Sequence, residues 1–320
     1  MDINFRLASQ LVDDLEVLLE RHEISIPKDP VTQIDMLSTW RVLRAHENKS
    51  ILRPVDERPL LASAAMLADQ AAKILAVKEH PDFPKLLPHL NKLSEGAINI
   101  GLPPTFHHDA SNKFSELYWA CLCMAKGDRV EVDDPDASSG GTNPDVIAIS
   151  GGRKIGYALK TVRSKAPMTL FENLEKAVDQ IERADVDIGF PVLNLTPQFE
   201  LDEVWPLGFS WPNYIVPGLL FGEKIKGLLA DMCRYVGGSS MNELFEGKKS
   251  VPACVAFCFA PTSVIHDTLI TPVSTSLKIM MFIILTDADV ETVNASEIKA
   301  LNDVMQSIVG QHPQSALGDS

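Results

Sequence analysis

Residues 144–162 read Pro-Asp-Val-Ile-Ala-Ile-Ser-Gly-Gly-Arg-Lys-Ile-Gly-Tyr-Ala-Leu-Lys-Thr-Val. Two segments rich in β-branched and aliphatic residues, 146–149 and 155–162, flank the turn-forming residues 150–154. This pattern is typical of a β-hairpin. The hairpin decides the fold, because the elements on either side of it must complete its sheet.

The hairpin also brings polar residues together. If Gly151 to Lys154 form a four-residue loop, Asp145 lies directly opposite Lys160, and cross-strand partners point to the same face of a sheet. Ala158 lies two residues before Lys160 and therefore shares that face. The pattern predicts a carboxylate and an ammonium group side by side.

The segments around the hairpin alternate between helical and strand patterns. The predicted order from residue 113 is a helix at 113–126, a strand at 130–132, the hairpin, a helix at 172–184 and a strand at 190–195. Asn112 is the expected N-cap of the first helix and Gly127 its stop. Strands interleaved with helices indicate a mixed sheet flanked by helices, in an α+β (or α/β) fold.

The remaining chain divides into two further regions. Apolar stripes at helical spacing predict helices at 3–24, 32–45 and 60–77, and a short helical stretch ending near residue 100. Helices at 222–235 and 295–309 and strands at 251–259 and 278–285 are expected after the core. We therefore expect a helical N-terminal region at 1–104, a core at 105–200, a C-terminal α+β addition at 201–310 and a disordered tail at 311–320.

Composition restricts the class of protein. Of the 320 residues, 45% are hydrophobic and 22% are charged, which is typical of a globular protein. The longest apolar run near the C-terminus is shorter than a membrane helix, and no secretory signal is visible. The five cysteines are odd in number and form no metal-binding pair, so we expect reduced core thiols and a cytoplasmic location.

The combination of helix, hairpin and following helix resembles the PD-(D/E)xK superfamily, the core of many restriction enzymes and DNA-repair nucleases. The resemblance rests on Glu116 in the leading helix, Pro144-Asp145 before a strand, Ala158-Leu159-Lys160 on the partner strand, and Gln180 in the following helix. It covers about a quarter of the chain. Carboxylates at such positions suit a hard divalent cation, and a lysine suits the stabilisation of a phosphate transition state.

The resemblance implies a deoxyribonuclease dependent on Mg²⁺ or Mn²⁺. Glu116 and Asp145 would be metal ligands, Lys160 the catalytic lysine, and Gln180 a contact to the nucleic-acid backbone. A bacterial role in genome defence or repair follows from the family alone, as does a requirement for a second copy in double-strand cutting.

Ala158 departs from the family pattern, since an acid normally stands there. A displaced carboxylate from the following helix, Glu172 or Glu175, would restore the ligand set. Alternatively, Ala158 is an engineered substitution that inactivates the enzyme. The third interpretation is a natural pseudo-nuclease that binds without cutting.

The charge distribution bears on a nucleic-acid partner. The net charge is −14, which opposes phosphate binding unless positive charge is concentrated locally. Residues 147–170 contain no Asp or Glu but carry Arg153, Lys154, Arg163 and Lys165, which we predict to contact nucleic acid. The alternative hypothesis is a non-catalytic subunit whose acidic surface docks a protein partner.

Overall fold

The computed structural model describes residues 5–24, 56, 58–92, 111–136, 142–265, 272–287 and 292–307. The helices are α1 Phe5–Arg21, α2 Arg58–Ala76, α3 Leu87–Asn91, α4 Ser111–Lys126, α5 Pro167–Arg183, α6 Leu201–Val204, α7 Ile215–Val236, α8 Gly238–Phe245 and α9 Thr292–Gln306, with 3₁₀ turns at Phe83–Leu86 and Thr196–Gln198. The strands are β1 Arg129–Val132, β2 Val146–Ser150, β3 Arg153–Thr161, β4 Ile188–Asn194, β5 Ala253–Ile265 and β6 Pro272–Ile284. The predicted helix at 32–45 and the predicted disordered tail at 311–320 lie outside the described residues.

The predicted α+β fold with a mixed sheet is confirmed. Six strands form one sheet in the order β1-β2-β3-β4-β5-β6. Strands β3, β4 and β5 run parallel to one another, whereas the β1–β2, β2–β3 and β5–β6 pairs are antiparallel. The helix-strand-strand-strand-helix-strand order expected from residue 113 is the order observed from α4 to β4.

The hairpin register differs from the predicted one by two residues. Ser150 pairs with Arg153, so the loop has two residues rather than four. Gly151 and Gly152 both have positive φ, at 58° and 83°, which is the backbone requirement of a tight type I′ hairpin turn. The shift is an even number of residues, and the side chains therefore keep the faces that were predicted for them.

Helices cover both faces of the sheet. On one face, α1, α2, α4 and α9 enclose a core centred on Trp119, Tyr157 and Phe257, all fully buried. Trp119 packs against both of the other rings, with centroids 5.5 and 5.6 Å away. On the other face, α5, α7 and α8 enclose a second apolar core around Leu174 and Ile225.

The predicted C-terminal addition completes the sheet of the core. Strands β5 and β6 continue the sheet beyond β4, and Leu195 N–H donates to Phe257 O at 2.9 Å. From α9, Glu297 accepts a hydrogen bond from Tyr157 Oη at 2.7 Å and pairs with Lys126. The N-terminal region also contacts the core. Asp69 on α2 accepts a hydrogen bond from the hydroxyl of Tyr118 and forms an ion pair with buried Lys278 at 2.8 Å.

Several helices begin earlier than their sequence patterns predicted, α5 and α7 by the largest margins. Helix α5 begins at Pro167, five residues before the predicted start, because proline fits the first turn, where its missing N–H costs no hydrogen bond. Helix α7 begins at Ile215 rather than at residue 222, and it includes Pro217 in its first turn and Gly218. Helix α4 begins at Ser111, which places the expected N-cap, Asn112, inside the helix.

None of the helices in the described part of the chain has the length and apolar character needed to cross a bilayer. All five cysteines are free thiols, and four of them are buried. Burial raises the pKa of Cys121 to about 12, so this thiol stays protonated at neutral pH.

Candidate functional site

The site lies where β2 begins and β3 ends, between the sheet and α5. Asp145 immediately precedes β2, and the register places it beside Ala158, with Lys160 one step further along the same face. Lys160 Nζ lies 3.7 Å from Asp145 Oδ2. The structure therefore brings the predicted aspartate and lysine together, although across a diagonal of the hairpin rather than directly.

Gln180 on α5 holds the lysine from the other side. Lys160 Nζ donates to Gln180 Oε1 at 2.5 Å, and the amide of Gln180 donates to the backbone carbonyl of Asn143. Gln180 is buried, so these bonds replace contacts that it would otherwise make with water. The ammonium group of Lys160 is thereby oriented by a carboxylate and an amide oxygen.

Asp145 is held by the backbone of the neighbouring strand. Its Oδ2 accepts the N–H of Leu159 at 2.6 Å, and the residue is only 7% exposed. Burial raises the pKa of Asp145, an effect that the positive charge of Lys160 opposes and the negative charge of Glu116 reinforces. Glu116 is therefore close enough to influence Asp145, although it lies on α4, across the edge of the sheet.

Glu116 already has two partners. Lys113, one helical turn earlier on α4, places Nζ 2.9 Å from both carboxylate oxygens of Glu116. His89 of α3 places Nε2 3.1 Å from Oε2, and Glu116 is only 5% exposed. The Nδ1 atom of His89 is buried and has no hydrogen-bond partner among the described residues.

Sequence reasoning missed Lys113 and His89. Lys113 carried a usable signal, because lysine and glutamate three residues apart face each other on a helix. His89 carried none, since it comes from α3, 27 residues before its partner. We refer to Asp145, Lys160, Gln180, Glu116, Lys113 and His89 together as the Asp145 site.

Ala158 lies next to Asp145 in the sheet, but its side chain is buried in apolar packing and leaves no space for a ligand. It has no exposed surface and belongs to a small apolar cluster with Ile147, Ala177 and Ile181. The small residue thus serves as a packing contact between β3 and α5. An acid at this position would have to displace that contact.

The structure does not place Glu172 and Glu175 among the contacts of Asp145. They line a groove of about 640 Å³ between α5 and α8, together with Lys176, Asp179, Glu243 and Lys248. Glu175 lies about 140° around the helix from Gln180, which is the α5 residue that contacts Lys160. The displaced-carboxylate interpretation therefore receives no support from these positions.

The predicted basic window is split between the two ends of β3. Arg153 and Lys154 lie at the hairpin, about 20 Å along the strand from Lys160. Lys154 is paired there with Asp185 at 2.5 Å. Exposed Arg163 and Lys165 follow the other end of β3, the end that carries Lys160. Only this second pair lies beside the Asp145 site.

The Asp145 site contains two carboxylates, those of Asp145 and Glu116, as candidate metal ligands. Among the described residues, no group of three or more His, Cys, Asp or Glu side chains is placed to hold an ion. Mg²⁺ keeps several waters and binds through one or two carboxylates plus substrate phosphates. Asp145 and Glu116 supply that number of carboxylates, and a metal bound by Glu116 would compete with both Lys113 and His89.

Comparison of the chain with protein-family models, with curated proteins and with solved structures finds no match.

Proposed function

We propose that the chain is a metal-dependent nuclease that acts on DNA, with the Asp145 site as its catalytic centre. The observation that carries the proposal is the convergence of Asp145, Lys160 and Gln180 from three separate elements, with Lys160 Nζ 3.7 Å from Asp145 and 2.5 Å from Gln180. Burying the carboxylate of Asp145 costs desolvation energy, and buried carboxylates next to a half-buried lysine are concentrated at functional sites.

Asp145 and Glu116 would hold Mg²⁺ or Mn²⁺, which supplies charge neutralisation at the scissile phosphate when it is bound. Lys160 would donate a hydrogen bond from Nζ to a phosphate oxygen or to the attacking water, while Gln180 keeps the ammonium group in place. Arg163 and Lys165 would contact the phosphate backbone next to the site. Cytoplasmic DNA, in defence or repair, is the substrate that we propose.

A second candidate function is non-catalytic binding of nucleic acid or assembly with a protein partner. Two observations favour it. Ala158 is part of the apolar packing, and Lys113 occupies both oxygens of Glu116. A site with two carboxylates and two lysines has no net charge, so it could accept a phosphate without a metal.

Cleavage and binding measurements separate the two functions. Plasmid and single-stranded DNA are incubated with the purified chain in Mg²⁺ or Mn²⁺, and DNA binding is followed by fluorescence anisotropy. Catalysis predicts metal-dependent cutting that is lost in Asp145→Asn and in Lys160→Met. The matched control is Lys154→Met, which removes a lysine from the same strand at its distant end and should leave cutting unchanged.

Other outcomes are equally informative. If the folded chain binds DNA without cutting it, and Lys160→Met weakens binding more than Lys154→Met does, the non-catalytic function replaces the first. Equal behaviour of the two lysine variants in both assays would contradict a functional role for the Asp145 site. Urea denaturation of each variant checks that the folded state is retained.

A further inference from the structure

The first two turns of α7 and the segment before them carry an unusual surface. Residues 204–222 contain no charged side chain, in a chain in which 22% of residues are charged. Exposed large apolar side chains are concentrated in the same stretch: Leu207 is 74% exposed, Phe209 44%, Ile215 69%, Leu219 64% and Leu220 50%. We call these five residues the α7 patch.

Aromatic contacts connect the two parts of the α7 patch. The ring of Phe209 packs edge-on against Trp211, with centroids 4.9 Å apart, and Trp211 in turn contacts Phe221 of α7. Backbone hydrogen bonds join Trp211 to Ser263 and Ile265 at the end of β5. The patch is therefore anchored to the sheet.

A glycine lies beside the exposed side chains of α7. Gly218 is half-buried, between the exposed residues Ile215 and Leu219 along the chain. Apart from the helix's own backbone, no described atom lies within 4 Å of its Cβ position, whereas Gly222, one turn later, faces Met281 of the sheet at 3.9 Å. A glycine with open space beside it allows a second helix to approach closely.

We propose that the α7 patch is the interface of a homodimer, in which α7 of one copy crosses α7 of the other at Gly218. A twofold interface must be self-complementary, and an uncharged apolar stripe with a glycine beside it meets that condition. Two copies that each carry a net charge of −14 repel each other over most approaches, but this stretch presents no acid to its own copy.

The size of the patch agrees with a dimer of moderate stability. Taking about 150–200 Å² for a fully exposed large side chain, the five residues present roughly 500 Å² of apolar surface. A polar rim brings the total close to the roughly 800 Å² that each partner buries in a standard interface. A membrane surface fits less well, because Lys224 and Lys226 are paired with Glu203 and Glu223 and leave no excess of positive charge beside the stretch, whereas membrane-surface helices are usually rich in lysine and arginine.

Sedimentation equilibrium of the whole chain over micromolar concentrations tests the proposal. The expected mass is that of two chains. Leu219→Glu places two like charges face to face across the twofold axis and should weaken association by roughly a hundredfold. The matched control is Tyr235→Glu, which adds the same charge to the same helix at an equally exposed position, 64%, and should leave association unchanged.

Cross-linking tests the geometry separately. In a Cys233→Ser background, Gly218→Cys should form a reducible covalent dimer on mild oxidation, whereas Tyr235→Cys should not. A wild-type chain that remains monomeric at every concentration overturns the proposal, as does equal weakening by both glutamate variants. Flotation of a monomeric wild-type chain with neutral phosphatidylcholine vesicles would assign the patch to a membrane surface instead. None of these outcomes depends on nuclease activity.

Discussion

Replacing Ala158 by glutamate tests the packing and the chemistry of the Asp145 site together. Ala158 has no exposed surface and packs with Ala177 and Ile181 of α5. Its neighbour on β4 is Pro191, and the register places Asp145 beside it on β2. A glutamate side chain must therefore be accommodated by displacing α5 or by turning towards Asp145.

Both responses cost stability in the absence of metal. Overpacking a filled core costs about 1–3 kcal/mol. Burying another polar group without a full set of partners adds about 1–3 kcal/mol. We expect the free energy of unfolding of Ala158→Glu to fall by about 3 kcal/mol relative to the unmodified chain.

A divalent cation should then restore part of the loss. A ligand that binds only the folded state at a hundred times its dissociation constant contributes about 2.7 kcal/mol. Urea denaturation with and without Mn²⁺ measures both effects. Ala158→Gln is the control, because it has almost the same volume and should lose similar stability, but it should gain less from the metal, since only Asp145 and Glu116 would then hold the ion.

Two results would refute this reasoning. Unchanged stability of Ala158→Glu would show that position 158 is not packed as described. Equal responses of the glutamate and glutamine variants to Mn²⁺ would show that a carboxylate at 158 does not join Asp145 and Glu116 in holding a metal.

Two further predictions concern lysines. Lys113→Met should raise the affinity for Mn²⁺ about fivefold, as measured by isothermal titration calorimetry. The reason is that the ion no longer competes with the partly exposed Lys113–Glu116 ion pair, which is worth about 1 kcal/mol. Unchanged affinity would contradict this competition. Burial lowers the pKa of Lys73 from 10.5 to about 8. Between these two pH values, the folded chain has released a proton that the unfolded chain still binds. The stability of the wild type relative to Lys73→Met should therefore rise, by up to about 3 kcal/mol, as the pH increases from about 8 to about 10.5, and denaturation curves without such a rise would count against the burial of this ammonium group.

The sequence predicted the core of the fold well because the signals there are local. The hairpin, α4, α5 and β4 each follow from periodicity and turn residues within short windows. The register was wrong because Gly151-Gly152 closes a two-residue turn, a choice that loop composition alone did not decide. The early start of α7 was missed because Pro217 and Gly218 disfavour a helix by propensity, and tertiary contacts outweigh that preference.

The candidate site was only partly predictable for the same physical reason. Asp145 and Lys160 are brought together by one hairpin, whose geometry follows from strand pairing. Their surroundings depend on long-range packing: His89 reaches Glu116 from α3, and the groove that contains Glu172 is formed with α8. No local pattern encodes those distances.

The position of β5 has a consequence for how the protein is made. Strand β5, which pairs with β4, begins only after 58 intervening residues. Tyr157 donates a hydrogen bond to Glu297 on the last described helix. During synthesis, a ribosome that has released residues up to 200 has exposed β4 as an unpaired edge. All residues of the Asp145 site have emerged by then, but the sheet that carries them is completed only when β5 and the last described helix follow, so the nascent fragment has an exposed strand edge that is prone to aggregation.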